Sequence, residues 1–284
     1  MAIARVGIVG SGIMGSGIAE VAASAGYEVV VRSRTKETAD AVSSALARSL
    51  ARQVDKGKRT QEDADAVAAR VSATTQLGEL VDADLVIESV VEDLSVKKAL
   101  FTELDTVCKP STILATNTST LPVVEMAMAT GRPDLVCGIH FFNPAPAMGL
   151  VEIARPITAA DATMETACQF AAACGKEAVV VKDQAGFVVN ALLFPYLNGA
   201  VRLFEQGVAS MEGIDAAMKG GCGFPMGPFA LLDLVGLDTS VAILDALFEE
   251  FREPTYAPVP LLRRLVQSGR LGRKAGRGFY DYKR

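Results

Sequence analysis

The chain has 284 residues, 50% of them hydrophobic, and 28 basic against 33 acidic side chains give a formal net charge of −5. That length buries a large core, enough for one large domain and a smaller one. Net acidity excludes a whole-surface electrostatic affinity for nucleic acid or anionic lipid, so no nucleic-acid or membrane partner is expected, although local basic clusters can still bind a small anion. The five cysteines form no CxxC pair and are odd in number, so neither a metal site nor a disulfide framework is expected and a reducing compartment fits. The start MAIARVGIVG runs straight into a strand pattern, no signal peptide is read, and the cytoplasm is the expected location.

RVGIVG predicts the first strand, and Gly10, Gly12 and Gly15 (GSGIMG) follow it directly, ahead of a helix over 13–25. The first glycine permits the tight turn, the second lets a pyrophosphate approach the backbone, and the third lets helix and strand pack closely. A bare GxGxxG is weak; between a strand and a helix, at the start of a βαβ pattern, it points to a dinucleotide, with Ile13 and Met14 in the same loop.

EVVVR predicts the second strand. It ends at Arg32, where an NAD-binding unit normally supplies Asp or Glu for the ribose hydroxyls, and this chain continues Ser33, Arg34, Thr35, Lys36. Nothing there repels a ribose 2′-phosphate, and a guanidinium and two hydroxyls can bind one, which favours NADP(H) through Ser33 and Arg34. In the other reading these are solvated loop charges and NAD(H) binds through its remaining contacts.

Helical patterns over 35–56 and 60–69, a strand in ADLVIES, a helix over 93–108 and a strand in STILATN complete an alternation that predicts a parallel sheet wound with helices on both faces. ILATNTST sets Asn117, Ser119 and Thr120 just past the carboxyl end of a strand, the edge where such sheets bind ligands. Polar side chains there hydrogen-bond a nicotinamide amide or a substrate oxygen, or equally cap the next turn.

The apolar runs 135–142 and 149–153 read as an antiparallel hairpin turning near Pro146, which sets His140, the single histidine, opposite Glu152. An imidazole oriented by a carboxylate suits a general base; taken alone, a histidine in an apolar strand is more often a satisfied core residue.

KEAVVVK is the last predicted strand. Helical patterns then cover 186–206, 211–219, 227–234, 236–250 and 259–267, so the expected domains are 1–184 and 185–284. The uncharged stretch Gln184 to Val201 is interrupted by Asn190, Pro195 and Asn198 and reads as a helix buried on most faces rather than a membrane span. Asn190 needs hydrogen-bond partners within that helix, a ligand being one possibility. The crowding of Phe187, Leu192, Leu193, Phe194, Tyr196 and Leu197 fits either a second subunit, giving a homodimer through the helical domain, or packing against the first domain.

Together GSGIMGSGIA (10–19), ESVVED (88–93), NTST (117–120), HFFNP (140–144), LVEI (150–153), GFVVN (186–190), PMGP (225–228) and LGRKAGRGFYDY (271–282) resemble the 3-hydroxyacyl-CoA dehydrogenase family over nearly the full length, its short-chain bacterial members in particular. The resemblance implies a Rossmann-like, doubly wound, mostly parallel α/β domain followed by a smaller all-α domain. It implies an oxidoreductase on an acyl-CoA, 3-hydroxybutyryl-CoA foremost and the S alcohol, with NAD(P)(H). It further implies His140 as base, Glu152 as its orienting partner, Ser119 and Asn190 on the reacting oxygen and thioester, and Glu92, Lys97 and Asn117 around the nicotinamide ribose.

By position, Arg52 and Lys56 would meet the phosphates of coenzyme A; at i and i+4 they share a helix face, which is otherwise a solvated basic stripe. Two departures stand out: Ser33 replaces the acidic residue many relatives have, and Ala191 follows Asn190 where relatives often have arginine. The competing readings are a dehydrogenase of the same superfamily acting on a sugar acid or carrier-protein thioester, and a nucleotide-binding protein built on a retired dehydrogenase.

Overall fold

The computed structural model describes residues 2–282 and divides into two compact units, Met1–Asp183 and Gln184–Arg284. In the first, β1 (Arg5–Val9), α1 (Ile13–Ser24), β2 (Glu28–Arg32), α2 (Lys36–Asp55), α3 (Gln61–Ala69) and β3 (Val71–Thr74) form one winding. The second winding has β4 (Leu85–Glu88), α4 (Leu94–Val107), β5 (Ile113–Thr116), α5 (Val123–Ala127) and β6 (Val136–Phe141), and β7 (Leu150–Arg155), α6 (Asp161–Ala173) and β8 (Glu177–Lys182) complete the unit.

One eight-stranded sheet runs β3-β2-β1-β4-β5-β6-β7-β8, parallel except for the antiparallel pair β6–β7. The inner strands are apolar on both faces because helices cover both; Val6, Ile8, Leu85, Ile87 and Ile139 are fully buried. The register places Arg32, Val9, Glu88, Thr116 and Gly138 in one row across five strands, so the loops after them emerge along one sheet edge. The strand order reverses between β1 and β4, which makes this edge a crevice for ligands.

The second unit is helical: α7 (Val189–Glu205), α8 (Met211–Cys222), α9 (Pro228–Val235), α10 (Leu237–Phe251) and α11 (Pro260–Gln267), around Leu197, Phe229, Leu232, Leu244, Leu247 and Leu262. α7 starts later than the expected 186 because Gly186 (φ 72°) and Phe187 (φ 45°) form a left-handed turn that no helix continues through. Among the described residues no helix is long and apolar enough to cross a membrane. In α7, Asn198 is fully buried and satisfied by the chain itself, donating to the Thr255 and Ala257 carbonyls (3.2 and 2.8 Å) and accepting from Val259 N (3.0 Å).

Candidate active site

The glycine loop divides its work between packing and open space. A Cβ on Gly10, whose φ is 112°, would sit 2.3 Å from the Ser89 carbonyl oxygen, and one on Gly15 would sit 1.9 Å from the Gly10 oxygen. Gly12 meets nothing within 4 Å, so the space before α1 is open. Gly12 is the N-cap of α1, no side chain caps it, and no acidic residue stands in the first turn. The helix thus presents uncompensated N–H groups and a positive dipole end, which fits a dinucleotide pyrophosphate. Ile13 lies 78% exposed beside this cradle, and Met14 is half-buried.

At the end of β2, Arg34 is exposed while Ser33 is fully buried, its Oγ lacking a hydrogen-bond partner, as does the buried Nε of Arg32. Thr35, the second hydroxyl expected to be free for a phosphate, is the N-cap of α2 and is engaged in a capping box with Thr38. Arg52 lies in the last turn of α2 and Lys56 caps its carboxyl end; both are exposed. Cations there also complement the helix dipole.

The loop Asn117 to Thr120 is held by buried charge. Glu88, fully buried at the end of β4, accepts from Lys97 Nζ and Val90 N (2.6 Å each) and from Thr116 Oγ1 (2.7 Å). Lys97 is 1% exposed, and its ammonium also lies 3.2 Å from Glu92 Oε2, so it is turned to two carboxylates rather than to open space. Glu92 in turn accepts from Ser119 N (3.0 Å) and from the Thr118 hydroxyl. Asn117 Oδ1 accepts from Phe141 N (2.8 Å), tying this loop to the strand that carries His140. The sequence singled out Asn117, Ser119, Glu92 and Lys97; it gave no role to Glu88, Thr116 or Thr118, whose only signal was polarity at predicted strand ends.

β6 and β7 pair with His140 directly opposite Glu152, and His140 Nδ1 lies 2.9 Å from Glu152 Oε2. His140 is 6% and Glu152 1% exposed, so their interaction is little screened by water. A carboxylate only accepts, so an ionised Glu152 pairs with the imidazole tautomer that carries its proton on Nδ1. The Phe142 ring, 4.6 Å from the imidazole between centroids, restricts it further. Cys137, on the same strand, is no competing nucleophile, because burial pushes its thiol up to about 12.

Asp183, which ends the first unit, accepts from Val123 N and Val124 N (2.8 and 2.7 Å) at the start of α5, just past the Ser119 loop. Burial raises its carboxyl above the usual range against these two bonds. Asn190 lies in the first turn of α7, 8% exposed, one turn nearer the helix start than a helix over 186–206 would place it. It belongs to the second unit, whereas Gly10, Ser119, His140 and Glu152 lie in the first.

Two family models cover nearly the whole chain: the 3-hydroxyacyl-CoA dehydrogenase NAD binding domain matches residues 5–184 and the corresponding C-terminal domain matches 186–282. The chain is 49% identical to a 3-hydroxybutyryl-CoA dehydrogenase of Mycobacterium tuberculosis over 99% of each protein. It is 45% identical to one of Clostridioides difficile, over 98% of this chain and 99% of that one. The crystal structure of (S)-3-hydroxybutyryl-CoA dehydrogenase PaaH1 from Ralstonia eutropha superposes with a TM-score of 0.96 at 39% identity, covering both chains completely.

Proposed function

The chain belongs to the 3-hydroxyacyl-CoA dehydrogenase family, and from that premise we propose that it interconverts (S)-3-hydroxyacyl-CoA and 3-oxoacyl-CoA, above all 3-hydroxybutyryl-CoA and acetoacetyl-CoA. The observation that carries the proposal is the buried His140–Glu152 pair on the sheet edge that also bears the glycine loop. His140 Nε2 takes the 3-hydroxyl proton in oxidation and returns it in reduction. Glu152 fixes the tautomer and stabilises the imidazolium that forms. Ser119 and Asn190 steady the reacting oxygen and thioester, and Arg52 and Lys56 meet the phosphates of coenzyme A.

The nicotinamide dinucleotide supplies or accepts the hydride when bound. Gly10, Gly12, Ile13, Met14 and Gly15 hold its pyrophosphate, and Asn117 and Glu92 hold the nicotinamide ribose, with Lys97 acting through Glu92. NADP(H) is the preferred form in this reading, supported by the exposed Arg34 and the lack of any carboxylate over 32–36; Ser33, fully buried, reaches a 2′-phosphate only if its loop shifts. We assign the exposed Leu192 (72%) of α7 to contact with a second copy of the chain, a dimer that sedimentation would reveal.

Initial rates with acetoacetyl-CoA, NADH and NADPH side by side test both levels. The expected result is turnover with both and a higher kcat/KM with NADPH. A clear preference for NADH overturns the cofactor assignment, and no turnover with either overturns the activity.

A further inference from the structure

Glu88, Thr116, Thr118, Glu92 and Lys97 form one closed circuit. Thr116 Oγ1 donates to Glu88 Oε2 (2.7 Å) and accepts from Thr118 N (3.1 Å). The Thr118 hydroxyl donates to Glu92 Oε1, whose other oxygen lies 3.2 Å from Lys97 Nζ, and Lys97 returns to Glu88 Oε1 at 2.6 Å. Four of the five residues are buried to 1% exposure or less; the side chain of the fifth, Glu92, is 40% exposed and accepts from Ser119 N.

Stability alone is a poor reason for such a circuit. Burying a carboxylate and an ammonium costs several kcal/mol per ion, and apolar replacement of a buried pair is often neutral or stabilising, whereas loss of one partner is not. What the charges supply here is direction. Lys97 draws Glu92 into one position, and Glu92 spends its second oxygen on the backbone of the residue that presents its hydroxyl at the sheet edge. Thr118 Oγ1 also accepts from Leu121 N (3.0 Å), so both sides of Ser119 are fixed from the same source.

We propose that Glu88 is a positioning residue for the reaction: through Lys97 and Glu92 on one arm, and Thr116 and Thr118 on the other, it sets the Ser119 loop in its productive conformation. The inference rests on the reading that Ser119 contacts the reacting oxygen. A loop displaced by about 1 Å can cost on the order of 100-fold in rate, and Glu88, fully buried, has no surface of its own to offer a ligand.

The test is a double-mutant cycle in the full-length protein. Glu88→Gln, Ser119→Ala and the pair are compared for kcat and KM on acetoacetyl-CoA, with dinucleotide affinity followed by nicotinamide fluorescence. Glu88→Gln is expected to lower kcat at least ten-fold, to weaken dinucleotide affinity by less than the loss in kcat, since Glu92 also holds the nicotinamide ribose, and to have little further effect in the Ser119→Ala background, since residues acting through one another are non-additive. Full additivity, or a folded Glu88→Gln enzyme with kcat within two-fold of the parent, overturns the inference. If Ser119→Ala itself leaves kcat unchanged, the reading of Ser119 fails instead. Should Glu88→Gln not fold, Thr118→Val opens the circuit from the other arm and carries the same expectations and the same refutation.

Discussion

Both units bury carboxylates, but they satisfy them with different donors. In the first unit Glu88 faces the ammonium of Lys97 and Glu152 faces the imidazole of His140, side chains that can carry or exchange a proton. In the second, Asp233 (1% exposed) accepts from Phe279 N, Tyr280 N and the Tyr282 hydroxyl, and Asp215 from Phe229 N, Ala230 N and the Tyr280 hydroxyl. Backbone amides cannot move without moving the chain, so the two aspartates act as rivets: Asp215 fastens α8 to the start of α9, and Asp233 fastens α9 to the C-terminal segment. The packing is tight, for a Cβ on Gly278 would lie 1.9 Å from Asp233 Oδ1. A buried carboxylate therefore reads as chemical when a side chain that titrates nearer neutrality, or an ammonium, faces it, and as structural when backbone amides and phenols hold it.

The largest effect expected on that distinction is at His140. His140→Gln keeps a polar side chain of similar reach but removes the base, and kcat on acetoacetyl-CoA should fall by about 10²–10⁴. Dinucleotide affinity should stay within a few-fold of the parent. Near-normal turnover would remove the proposed mechanism and return the pair to a core role.

Asp233→Asn should do the reverse. It turns an amide donor toward one of the two backbone N–H groups, Phe279 N or Tyr280 N, in a buried site, at a cost of about 1–3 kcal/mol. Thermal unfolding should report a lower Tm, while kcat measured well below that Tm stays within about three-fold of the parent. A large loss of kcat with Tm unchanged would break the comparison.

A smaller effect is expected at Arg34, which is exposed and therefore screened. Arg34→Ala should weaken NADPH binding about ten-fold, roughly 1.4 kcal/mol, and leave NADH binding nearly unchanged. Equal weakening of both would mean that Arg34 reads no 2′-phosphate.

Local pattern made much of the first unit legible before any coordinates. Two-faced apolar runs predicted β1, β2, β4 and β5, and the turn near Pro146 predicted a register in which His140 meets Glu152, the register the sheet has. What stayed hidden depends on partners far apart in sequence or on weak elements. β3 is the four-residue VSAT, with no residue fully buried, and α5 has five residues, too few for a period to declare itself. The Glu88 circuit joins residues 28 apart and exists only because β4 and β5 are neighbours, so Lys97, which the family resemblance alone singled out, shows no local sign of its burial. The placement of Asn190 in a first turn depends on the left-handed pair Gly186 and Phe187, and phenylalanine gives no warning of such a φ.

The smallest expected effect lies in the riveted unit, at Tyr280. Its hydroxyl donates to Asp215 Oδ2 at 3.0 Å, and burial first, then this bond to an acceptor carboxylate, raise the phenol above its ordinary value near 10. A raised folded value means that the stabilisation is fully present below the unfolded phenol's pKa and is lost as pH climbs through the folded one, because the unfolded chain releases its proton first. Tyr280→Phe should cost about 0.5–1.5 kcal/mol in urea unfolding at pH 7. The parent's advantage should then shrink as pH rises past about 10. An advantage that grows there would mean the phenol ionises more readily folded than unfolded, which a donor to a buried carboxylate cannot do. A flat difference would mean that the Tyr280 hydroxyl is not coupled to Asp215, leaving that carboxylate held by the two amides of α9 alone.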